Sequence, residues 1–482
     1  MSATPGRLSP SVVQPVVEEA WRNHVLPTLH DYIRIPAKSP SFDPDWADHG
    51  HIDRALELLH GWARTRPIAG MITQEVRLAG RTPVLLCDIP PAGGGSPDDT
   101  VLLYGHLDKQ PEMSGWAEGK GPWEPVLEGE RLYGRGGADD GYALFAALAA
   151  VEAVQTAGGT HSRLMVLIEA SEESGSPDLP AYVDHLAGGL GQVDLVVCLD
   201  SGCATYDSLW VTTSLRGLVG GTLEVAVLNE GVHSGVAGGI VPSSFRIARQ
   251  LLSRIEDETD GQVLLPQAHA EIPVSRRQEA EAAAVELGDS VAAYFPWRGA
   301  TRPLRADTAE QILDRTWRPA LEVTGFDGAP APGDAGNVLR PVTRLKLSMR
   351  VAPTADDAAA AEALRQVLEA DPPNGAEVRF ALTDVGPGWE APATAPWLAA
   401  ALDAASREAF ARPARWQGEG GSIPFMGMLG ARFPDAQFVV TGVLGPGSNA
   451  HGPNEFLDLG MARGLTVAVS HLLHAHGTTE GR

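Results

Sequence analysis

Up to about residue 215, short apolar runs alternate with stretches of helical periodicity. The clearest apolar runs, residues 101–104, 164–170 and 193–199, have the length and composition of buried strands. A helix is predicted from Tyr142 to about Gln155, directly after the loop GRGGADDG. Because strands and helices alternate, we predict an α/β fold with a mixed, mainly parallel sheet and helices on both faces.

From Arg216 onward, the pattern changes to the alternation of half-exposed strands. The predicted strands are residues 223–228, 344–351 and 377–382, and the predicted helices are residues 243–256 and 356–369. Two helices packed on an antiparallel sheet would form a compact α+β unit. The segment 260–332 within this region is predicted to be mainly helical.

An amphipathic helix at residues 395–409 and an apolar strand at residues 437–441 follow this region. We expect the strand to return to the first sheet, which makes the middle region an insertion. The predicted organisation is therefore a main domain in two parts, residues 1–215 and 391–482, with an inserted α+β domain at residues 216–390.

Composition agrees with a folded protein of more than one domain. The 482 residues are 44% hydrophobic and 20% charged. No apolar run is long enough to span a bilayer, and residues 1–21 lack the basic start and apolar core of a secretion signal. Cys87, Cys198 and Cys203 form neither a disulfide framework nor a zinc-ribbon spacing, so we expect buried free thiols in a reducing cytoplasm.

Net charge limits the classes of partner. A formal charge of −24 repels nucleic acid at long range. The loop GRGGADDG lacks the Lys-Ser/Thr ending of a phosphate-binding loop, and its two aspartates would repel phosphate. We therefore predict neither nucleic-acid nor nucleotide binding. The acidic excess alone does not define a site, because surplus carboxylates are usually solvated surface.

Candidate metal ligands follow four of the predicted strands. Open α/β sheets bind ligands beyond the carboxyl ends of their strands, so these side chains are expected at one edge. Two aspartates also lie on the glycine-rich turn before the first helix, where the backbone can approach a ligand closely. Carboxylate and imidazole are ligands for zinc, manganese or cobalt. The residues are His106, Asp108, Asp139, Asp140, Glu172, Glu173, Asp200 and His451.

Each of these residues taken singly has an ordinary structural explanation. The pair His106 and Asp108 could form a surface or core hydrogen bond, and Glu172 with Glu173 could be a solvated loop. Asp200 could cap a helix or stabilise a turn, and His451 could be an exposed loop residue. Convergence at four separate strand ends favours a metal site over four independent coincidences.

Longer motifs extend this pattern to nearly the whole chain. In order they are GHLD, LYGRGGADDG, EASEESGS, the pair Leu199–Asp200, HSGVAGGIVPSS, GNVLRPVTRLKLSMRVAP, GEGGSIP and NAHGPNE, which together run from residue 104 to 455. As an ordered set they resemble the carnosine dipeptidase and cytosolic non-specific dipeptidase branch of the dinuclear zinc peptidases. That family is related to aminoacylase and glutamate carboxypeptidase.

The resemblance implies a specific arrangement of metal ligands. Asp139 would bridge two metal ions, with His106 and Asp200 completing one site and Glu173 and His451 completing the other. Two Zn²⁺ ions per subunit are implied, with Mn²⁺ or Co²⁺ as alternatives. The Asp139–Asp140 peptide bond is typically cis in these relatives.

The resemblance also assigns the catalytic and substrate-binding residues. Glu172 would be the general base for attack by a water held between the two metals, and Asp108 would support His106. His233 and Arg350 match positions that contact substrate, and Arg350 would pair with a terminal carboxylate. The other implied substrate contacts are Asn337, Glu419, Gly421 and Ser422.

The inserted domain matches the lid and dimerisation domain of the family. In dimeric relatives, the residue equivalent to His233 reaches into the partner's active site, so a homodimer is implied. The chain departs from the family pattern at Lys109, where valine is common, and at Ser201, where asparagine is frequent. Gly141 and Tyr142 also replace a common Lys-Gly pair. These departures leave every metal ligand in place and affect the expected substrate.

The implied activity is hydrolysis of the peptide bond in dipeptides or short peptides by a cytoplasmic enzyme without nucleic-acid or membrane partners. The alternatives on the same fold are an N-acyl-amino-acid deacylase, a carboxypeptidase and a carbamoyl-amino-acid hydrolase. A non-catalytic metal-binding protein is an alternative of another class. Loss of the base or of a ligand would be its usual sign, and all six positions carry suitable residues here.

Overall fold

The structure is a computed structural model that describes residues 8–479. The strands are β1 Ile72–Val76, β2 Val84–Ile89, β3 Asp99–His106, β4 Val126–Glu128, β5 Arg131–Tyr133, β6 Arg163–Glu169, β7 Gln192–Cys198, β8 Trp210–Leu215, β9 Gly217–Ala226, β10 Val232–His233, β11 Ala320–Asp327, β12 Val338–Leu339, β13 Val342–Val351, β14 Glu377–Gly386, β15 Trp389–Glu390, β16 Arg415–Glu419, β17 Gln437–Val440 and β18 Phe456–Asp458. The α-helices are α1 Pro10–Ala20, α2 Leu26–Ile33, α3 Trp46–His49, α4 His51–Ala63, α5 Ala143–Thr156, α6 Leu179–Leu190, α7 Ser234–Ala237, α8 Ser244–Leu252, α9 Val274–Leu287, α10 Ser290–Ala293, α11 Thr308–Thr316, α12 Asp357–Glu369, α13 Pro396–Phe410, α14 Pro424–Arg432 and α15 Leu459–Thr478.

The chain divides into two compact units. Unit 1 contains the residues up to Thr212, the segment Ala391–Trp416 and the residues from Met428 onward. Unit 2 contains Thr213–Glu390 and Gln417–Gly427. The role predicted for the inserted region, as a lid and dimerisation domain, stays a prediction.

Unit 1 is built on a mixed sheet with the strand order β1-β2-β6-β3-β7-β17-β8. The four central strands β6, β3, β7 and β17 are parallel neighbours, and the strands outside them pair antiparallel. The strand predicted at residues 437–441 is β17, and it returns to the first sheet between β7 and β8 as expected. The predicted mixed α/β architecture is confirmed.

Helix α5 lies at the centre of unit 1. Its sequence ALFAALAAVEAVQT is apolar on almost every face, and it contacts β3, β6, α1 and α15. A helix that is apolar all round is expected to be buried on all sides.

The predicted buried thiols are also observed, since Cys87, Cys198 and Cys203 are all buried and none of the three forms a disulfide among the described residues. Within residues 8–479, no helix has the length and apolar character needed to cross a membrane.

Unit 2 contains a four-stranded antiparallel sheet with the order β11-β13-β9-β14. Along β13, alternate residues from Thr343 to Val351 are buried, which is the alternation predicted from the sequence. The buried face packs against α8 and α12. The prediction for residues 260–332 was incomplete, because this segment holds α9, α10 and α11 but also strand β11. Only Leu321 of β11 is buried, so this edge strand has no alternating pattern to detect.

Candidate metal centre

The central parallel strands bring the predicted ligands to one edge of the sheet. Strand β3 ends at His106, and β7 is followed by Asp200 two residues after Cys198. Strand β6 is followed by a short turn, Glu172–Ser174, and β17 leads into the loop that carries His451. Because these strands are parallel neighbours, their carboxyl ends lie side by side.

The glycine-rich turn that carries Asp139 packs closely against β3. A side chain at Gly105 would place its Cβ 2.6 Å from Asp140 Oδ2 and 2.5 Å from the Cβ of Ala143. Only glycine permits this approach. The backbone amide of His106 then donates a hydrogen bond to Asp140 Oδ2 at 3.2 Å. The Asp139–Asp140 peptide bond is cis, as the resemblance implied.

One group of possible ligands contains His106, Asp139 and Asp200. His106 Nε2 lies 3.3 Å from Asp139 Oδ1 and 3.7 Å from Asp200 Oδ2. On the other side of the ring, His106 Nδ1 lies 3.0 Å from the carbonyl oxygen of Asp108. A carbonyl oxygen only accepts, so Nδ1 carries a proton, and Nε2 is the ring nitrogen that a cation would bind.

A second group contains Asp139, Glu173 and His451. His451 Nε2 lies 3.0 Å from Asp139 Oδ2 and 3.3 Å from Glu173 Oε2. Asp139 therefore offers one oxygen to each group. His451 has a side chain that is 58% exposed, whereas the side chain of Glu173 is only 3% exposed.

The donor chemistry fits divalent cations. The ligand atoms of each group lie within 4.8 Å of one another, and all are imidazole nitrogens or carboxylate oxygens. Glu173 Oε1 is buried and has no hydrogen-bond partner among the described residues. A buried carboxylate oxygen without a donor is costly, and a bound cation would remove that cost.

Asp108 organises the loop that follows β6. Its Oδ1 accepts the backbone amide of Glu172 at 3.1 Å, and its Oδ2 accepts the amide of Glu173 at 3.0 Å. The carboxylate of Glu172 lies close to the imidazole of His106, with Oε2 3.9 Å from His106 Nε2. Glu172 thus stands beside the group that contains His106, where it could take a proton from a water molecule.

The pKa values reflect this concentration of buried charge. Burial and then the charge of Asp200 raise the pKa of Glu172 well above its usual value. Burial and the charge of Asp139 raise the pKa of Glu173 in the same direction. Burial lowers the pKa of His106, but Asp200, Asp108 and Asp139 outweigh it, and the net shift is strongly upward. In the absence of cations, Glu172, Glu173 and His106 therefore keep protons to a higher pH than the free side chains would.

Three contributors to the site were not anticipated from the sequence. Gln110 donates from Nε2 to Glu173 Oε2 at 2.5 Å, and it directly follows the GHLDK segment. Arg135 and Glu455 form a buried ion pair, with Nη1 2.6 Å from Oε2. Both lie inside quoted motifs, but a sequence motif does not reveal which of its polar residues are paired.

The Arg135–Glu455 pair connects the turn before Asp139 to the loop of His451. Glu455 Oε1 accepts the amide of Gly136 at 2.9 Å, and Arg135 Nη2 donates to the carbonyl of Gly452 at 2.9 Å. The proposed ligands Asp139 and His451, which are distant in sequence, are thereby held by one hydrogen-bond network.

Lys109, a departure from the family pattern, is buried below the site. Its Nζ donates to the carbonyl oxygens of Tyr32 at 2.8 Å and Ile35 at 2.9 Å, and it lies 3.9 Å from the centre of the Tyr32 ring. A cation at the carboxyl end of α2 satisfies carbonyls that the helix leaves unpaired. Lys109 thus connects α2 to the loop that carries His106.

The predicted substrate-binding residues all lie in unit 2 and form two groups there. Arg350 Nη1 donates to Ser422 Oγ at 3.3 Å, and Glu419 and Gly421 precede Ser422 in the same loop. His233 lies in β10, which pairs with β12, and the carbonyl of Asn337 accepts the amide of Ser234 at 2.9 Å. The imidazole of His233 caps the short helix α7 by accepting the amide of Gly235.

Comparison with known proteins identifies the family. The model of peptidase family M20/M25/M40 matches residues 102–475, which is more than half of the chain. The chain belongs to this peptidase family. This M20 membership confirms the predicted class of enzyme, a metal-dependent peptidase, and with it the need for a divalent metal.

Dipeptidases are among the relatives of this M20 peptidase. It is 28% identical over 384 residues to cysteinylglycine-S-conjugate dipeptidase of Corynebacterium striatum, covering 78% of this chain and 81% of the relative. It is 29% identical over 301 residues to Beta-Ala-His dipeptidase of Mus musculus, covering 60% and 58% of the two chains.

Solved structures agree at the level of the fold. The di-peptidase Dug1p of Saccharomyces cerevisiae matches with a TM-score of 0.78 at 21% identity, covering 98% of this chain and 100% of that chain. The M20 peptidase therefore shares the complete fold of that protein.

Proposed function

We propose that this M20 peptidase hydrolyses dipeptides, or short peptides, with two divalent cations bound at the metal centre. The observation that carries this proposal is the sharing of Asp139, whose two oxygens lie 3.3 Å from His106 and 3.0 Å from His451. A carboxylate between two ligand groups is suited to bridge a pair of ions. Zn²⁺ fits the mixed imidazole and carboxylate donors, with Mn²⁺ and Co²⁺ as alternatives.

The proposal assigns His106 and Asp200 to one ion and Glu173 and His451 to the other. The cations, when bound, would lower the pKa of a water molecule and polarise the scissile carbonyl. The remaining chemistry belongs to this chain's own side chains.

Glu172 is the general acid and base in this proposal. It takes a proton as the water oxygen bonds to the scissile carbonyl carbon, and it returns that proton to the nitrogen of the leaving amine as the C–N bond breaks. Burial and the charge of Asp200 raise the pKa of Glu172, and a raised pKa makes a carboxyl group a better proton acceptor than an ordinary glutamate. Asp108 keeps Glu172 in place by accepting its backbone amide.

Unit 2 supplies the substrate contacts in this proposal. Arg350 pairs with the terminal carboxylate of the peptide, since a planar guanidinium matches a carboxylate in geometry. His233 stabilises the developing oxyanion. The residues Asn337, Glu419, Gly421 and Ser422 complete the pocket. We also propose a cytoplasmic homodimer formed through unit 2, which acts as the lid.

Hydrolysis of dipeptides and of their N-acetyl analogues by metal-reconstituted protein tests this function. We expect release of free amino acids from unmodified dipeptides and much slower cleavage of the N-acetylated forms. The names of the relatives from Corynebacterium striatum and Mus musculus support this choice. If N-acetyl amino acids, assayed alongside, are cleaved faster than the dipeptides, the site belongs to a deacylase, and no hydrolysis of any of these amides by the metal-loaded protein would overturn the proposal.

A further inference from the structure

Unit 2 contains a cavity of about 840 Å³ that includes the carboxyl end of α11 and the first residues of β11. Its aromatic lining residues are Phe295, Trp297 and Trp317, and its arginines are Arg216, Arg277, Arg305, Arg315 and Arg318. Four acidic residues also line it, namely Asp260, Glu271, Asp314 and Glu322. The pairing of these charges decides what the cavity can bind.

The acidic residues do not neutralise the buried end of the cavity. Asp314 is the one acid that is not exposed, and its two oxygens pair with Arg305 at 2.7 Å and with Arg318 at 2.6 Å. Asp260, Glu271 and Glu322 are all exposed. Among the described residues, Arg216 and Arg315 have no carboxylate within ion-pair distance.

Arg216 is the buried member, with 8% of its surface exposed. Its Nη1 donates to the carbonyls of Asp314 at 3.2 Å and Arg318 at 3.0 Å, and its Nε donates to the carbonyl of Gly420 at 3.3 Å. These acceptors are neutral, so they orient the guanidinium without balancing its charge. Nη2 has no hydrogen-bond partner among the described residues.

Arg350 and Arg315 lie beside Arg216 at the same loop. Arg216 immediately precedes Gly217, which pairs with Val351, so Arg216 and Arg350 occupy the same end of the sheet. A Cβ at Gly420 would lie 3.1 Å from Arg216 Nη2 and 3.4 Å from Arg315 Cγ, and it would meet the Arg315 carbonyl oxygen at 2.7 Å. Glycine is therefore required where this loop passes between the two arginines.

The three residues Arg216, Arg315 and Arg350 are called here the arginine cluster, and the charges of Arg350 and Arg315 both act against that of Arg216. Burial first, and then the charges of Arg350 and Arg315, lower the pKa of Arg216 to about 10, and the smaller opposing effect of Asp314 does not offset them. Such a cluster is unexpected in a chain with a net charge of −24. Trp317 adds an unused donor, because its Nε1 is buried and has no hydrogen-bond partner among the described residues.

A buried cation without a counter-charge is costly, and an anionic ligand removes that cost. If Arg350 binds the terminal carboxylate of a peptide, one negative charge still leaves Arg216 and Arg315 unbalanced. We propose that the arginine cluster selects peptides whose C-terminal residue carries a second carboxylate, aspartate or glutamate. This inference rests on the proposed function, in which Arg350 holds the terminal carboxylate.

Matched substrates test the inference with the full-length, metal-reconstituted enzyme. Ala-Glu is compared with Ala-Gln, and Ala-Asp with Ala-Asn, because each pair differs in charge at nearly constant shape. We expect kcat/KM to be at least about tenfold higher for the acidic member of each pair, the range that one well-placed charged contact supplies. Equal values within each pair would overturn the inference and leave the proposed dipeptidase function standing. No hydrolysis of any of the four substrates would remove the proposed function itself.

Variants then assign the preference to the cluster. Arg216→Met and Arg315→Gln should each lower the acid-to-amide ratio of kcat/KM several-fold. Arg365→Gln removes an equal charge from a half-exposed position on α12 of the same unit, where Arg365 pairs with Glu362, and the ratio should stay unchanged. A ratio that survives Arg315→Gln would contradict the assignment. Because Arg216 also holds three carbonyls, Arg315→Gln decides the question if Arg216→Met fails to fold in a thermal melt.

Discussion

The backbone amide of Glu172 donates a hydrogen bond to Asp108 Oδ1 at 3.1 Å, while Asp108 Oδ1 also lies 3.5 Å from Nδ1 of His106. Asp108 therefore contacts the proposed base on one side and a proposed metal ligand on the other. The second oxygen of Asp108 accepts the amide of Glu173, which is itself a proposed ligand. This geometry separates what Glu172 does from what Asp108 does, and substitutions can distinguish the two roles.

Glu172→Gln should retain both metal ions and lose most of the turnover. The amide keeps the size of the side chain, but it cannot take a proton from water, and general acid–base catalysis typically contributes about 10²- to 10⁴-fold. Mass spectrometry should therefore find the metal content of the wild-type protein, while kcat on a dipeptide should fall. Near-normal kcat in this variant would remove Glu172 from the role of base.

Asp108→Asn should weaken metal binding as well as turnover. The introduced amide group would face one of the two backbone N–H donors, so the turn that carries Glu172 and Glu173 would shift. Changes in residues that orient metal ligands cost about 10- to 100-fold in metal affinity. Competition with a chelator should show this loss for Asp108→Asn and not for Glu172→Gln. Equal affinities in the two variants would contradict the orienting role of Asp108.

Arg350→Ala should raise KM for dipeptides with a free C-terminal carboxylate far more than for their C-terminal amides. A guanidinium–carboxylate pair is a charge-assisted contact that the amide cannot form. The comparison is made with Ala-Leu and Ala-Leu-NH₂ on the same preparations. Arg379→Ala, an exposed arginine on β14 of the same unit, serves as the control and should leave the difference intact. Parallel losses for both substrates would exclude Arg350 from carboxylate binding.

Arg135→Met should destabilise the fold strongly. The change leaves Glu455 buried without its partner, and removing one member of a buried ion pair costs about 3–5 kcal/mol. The double variant Arg135→Met, Glu455→Gln should recover part of this loss, because the orphaned charge is removed as well. Urea unfolding monitored by circular dichroism measures both. Arg407→Gln, which breaks an exposed pair with Asp403, should cost much less.

Metal removal should lower the Tm more at pH 8 than at pH 6. The pKa values of Glu172 and Glu173 are raised above 4.5 in the folded protein, largely by burial. The metal-free fold therefore keeps protons that the unfolded chain has lost, and the stability from these groups fades as pH rises through the folded pKa. Cations replace those protons, so the Tm gain on adding Zn²⁺ should grow with pH. A gain independent of pH would contradict this linkage.

Much of the candidate metal centre could be predicted because the proposed ligands follow strands that are easy to detect. His106 and Asp200 come directly after apolar runs, and parallel neighbours bring such positions to one edge. His451 was harder to place, because it lies eleven positions after the end of β17 at Val440. Its assignment depended on the motif NAHGPNE rather than on strand geometry.

Contacts between distant polar residues could not be predicted in the same way. Arg135 and Glu455 lie 320 positions apart, and nothing in the local pattern of either residue indicates a buried partner. Strand β11 was missed because only one of its residues is buried, so hydrophobic alternation is absent. The position of Arg216 beside Arg350 became visible only through the pairing of β9 with β13.

The return of the chain to the sheet of unit 1 also has a consequence for biosynthesis. Strand β17 lies between β7 and β8, and His451 follows it in the chain. A ribosome-bound chain lacks the strand joining β7 to β8 until residues 437–440 have been synthesised, and it lacks one of the proposed ligands until residue 451 has been added. The nascent polypeptide can therefore assemble the proposed metal centre only after residue 451 has been synthesised, so chains terminated before that residue lack a complete one.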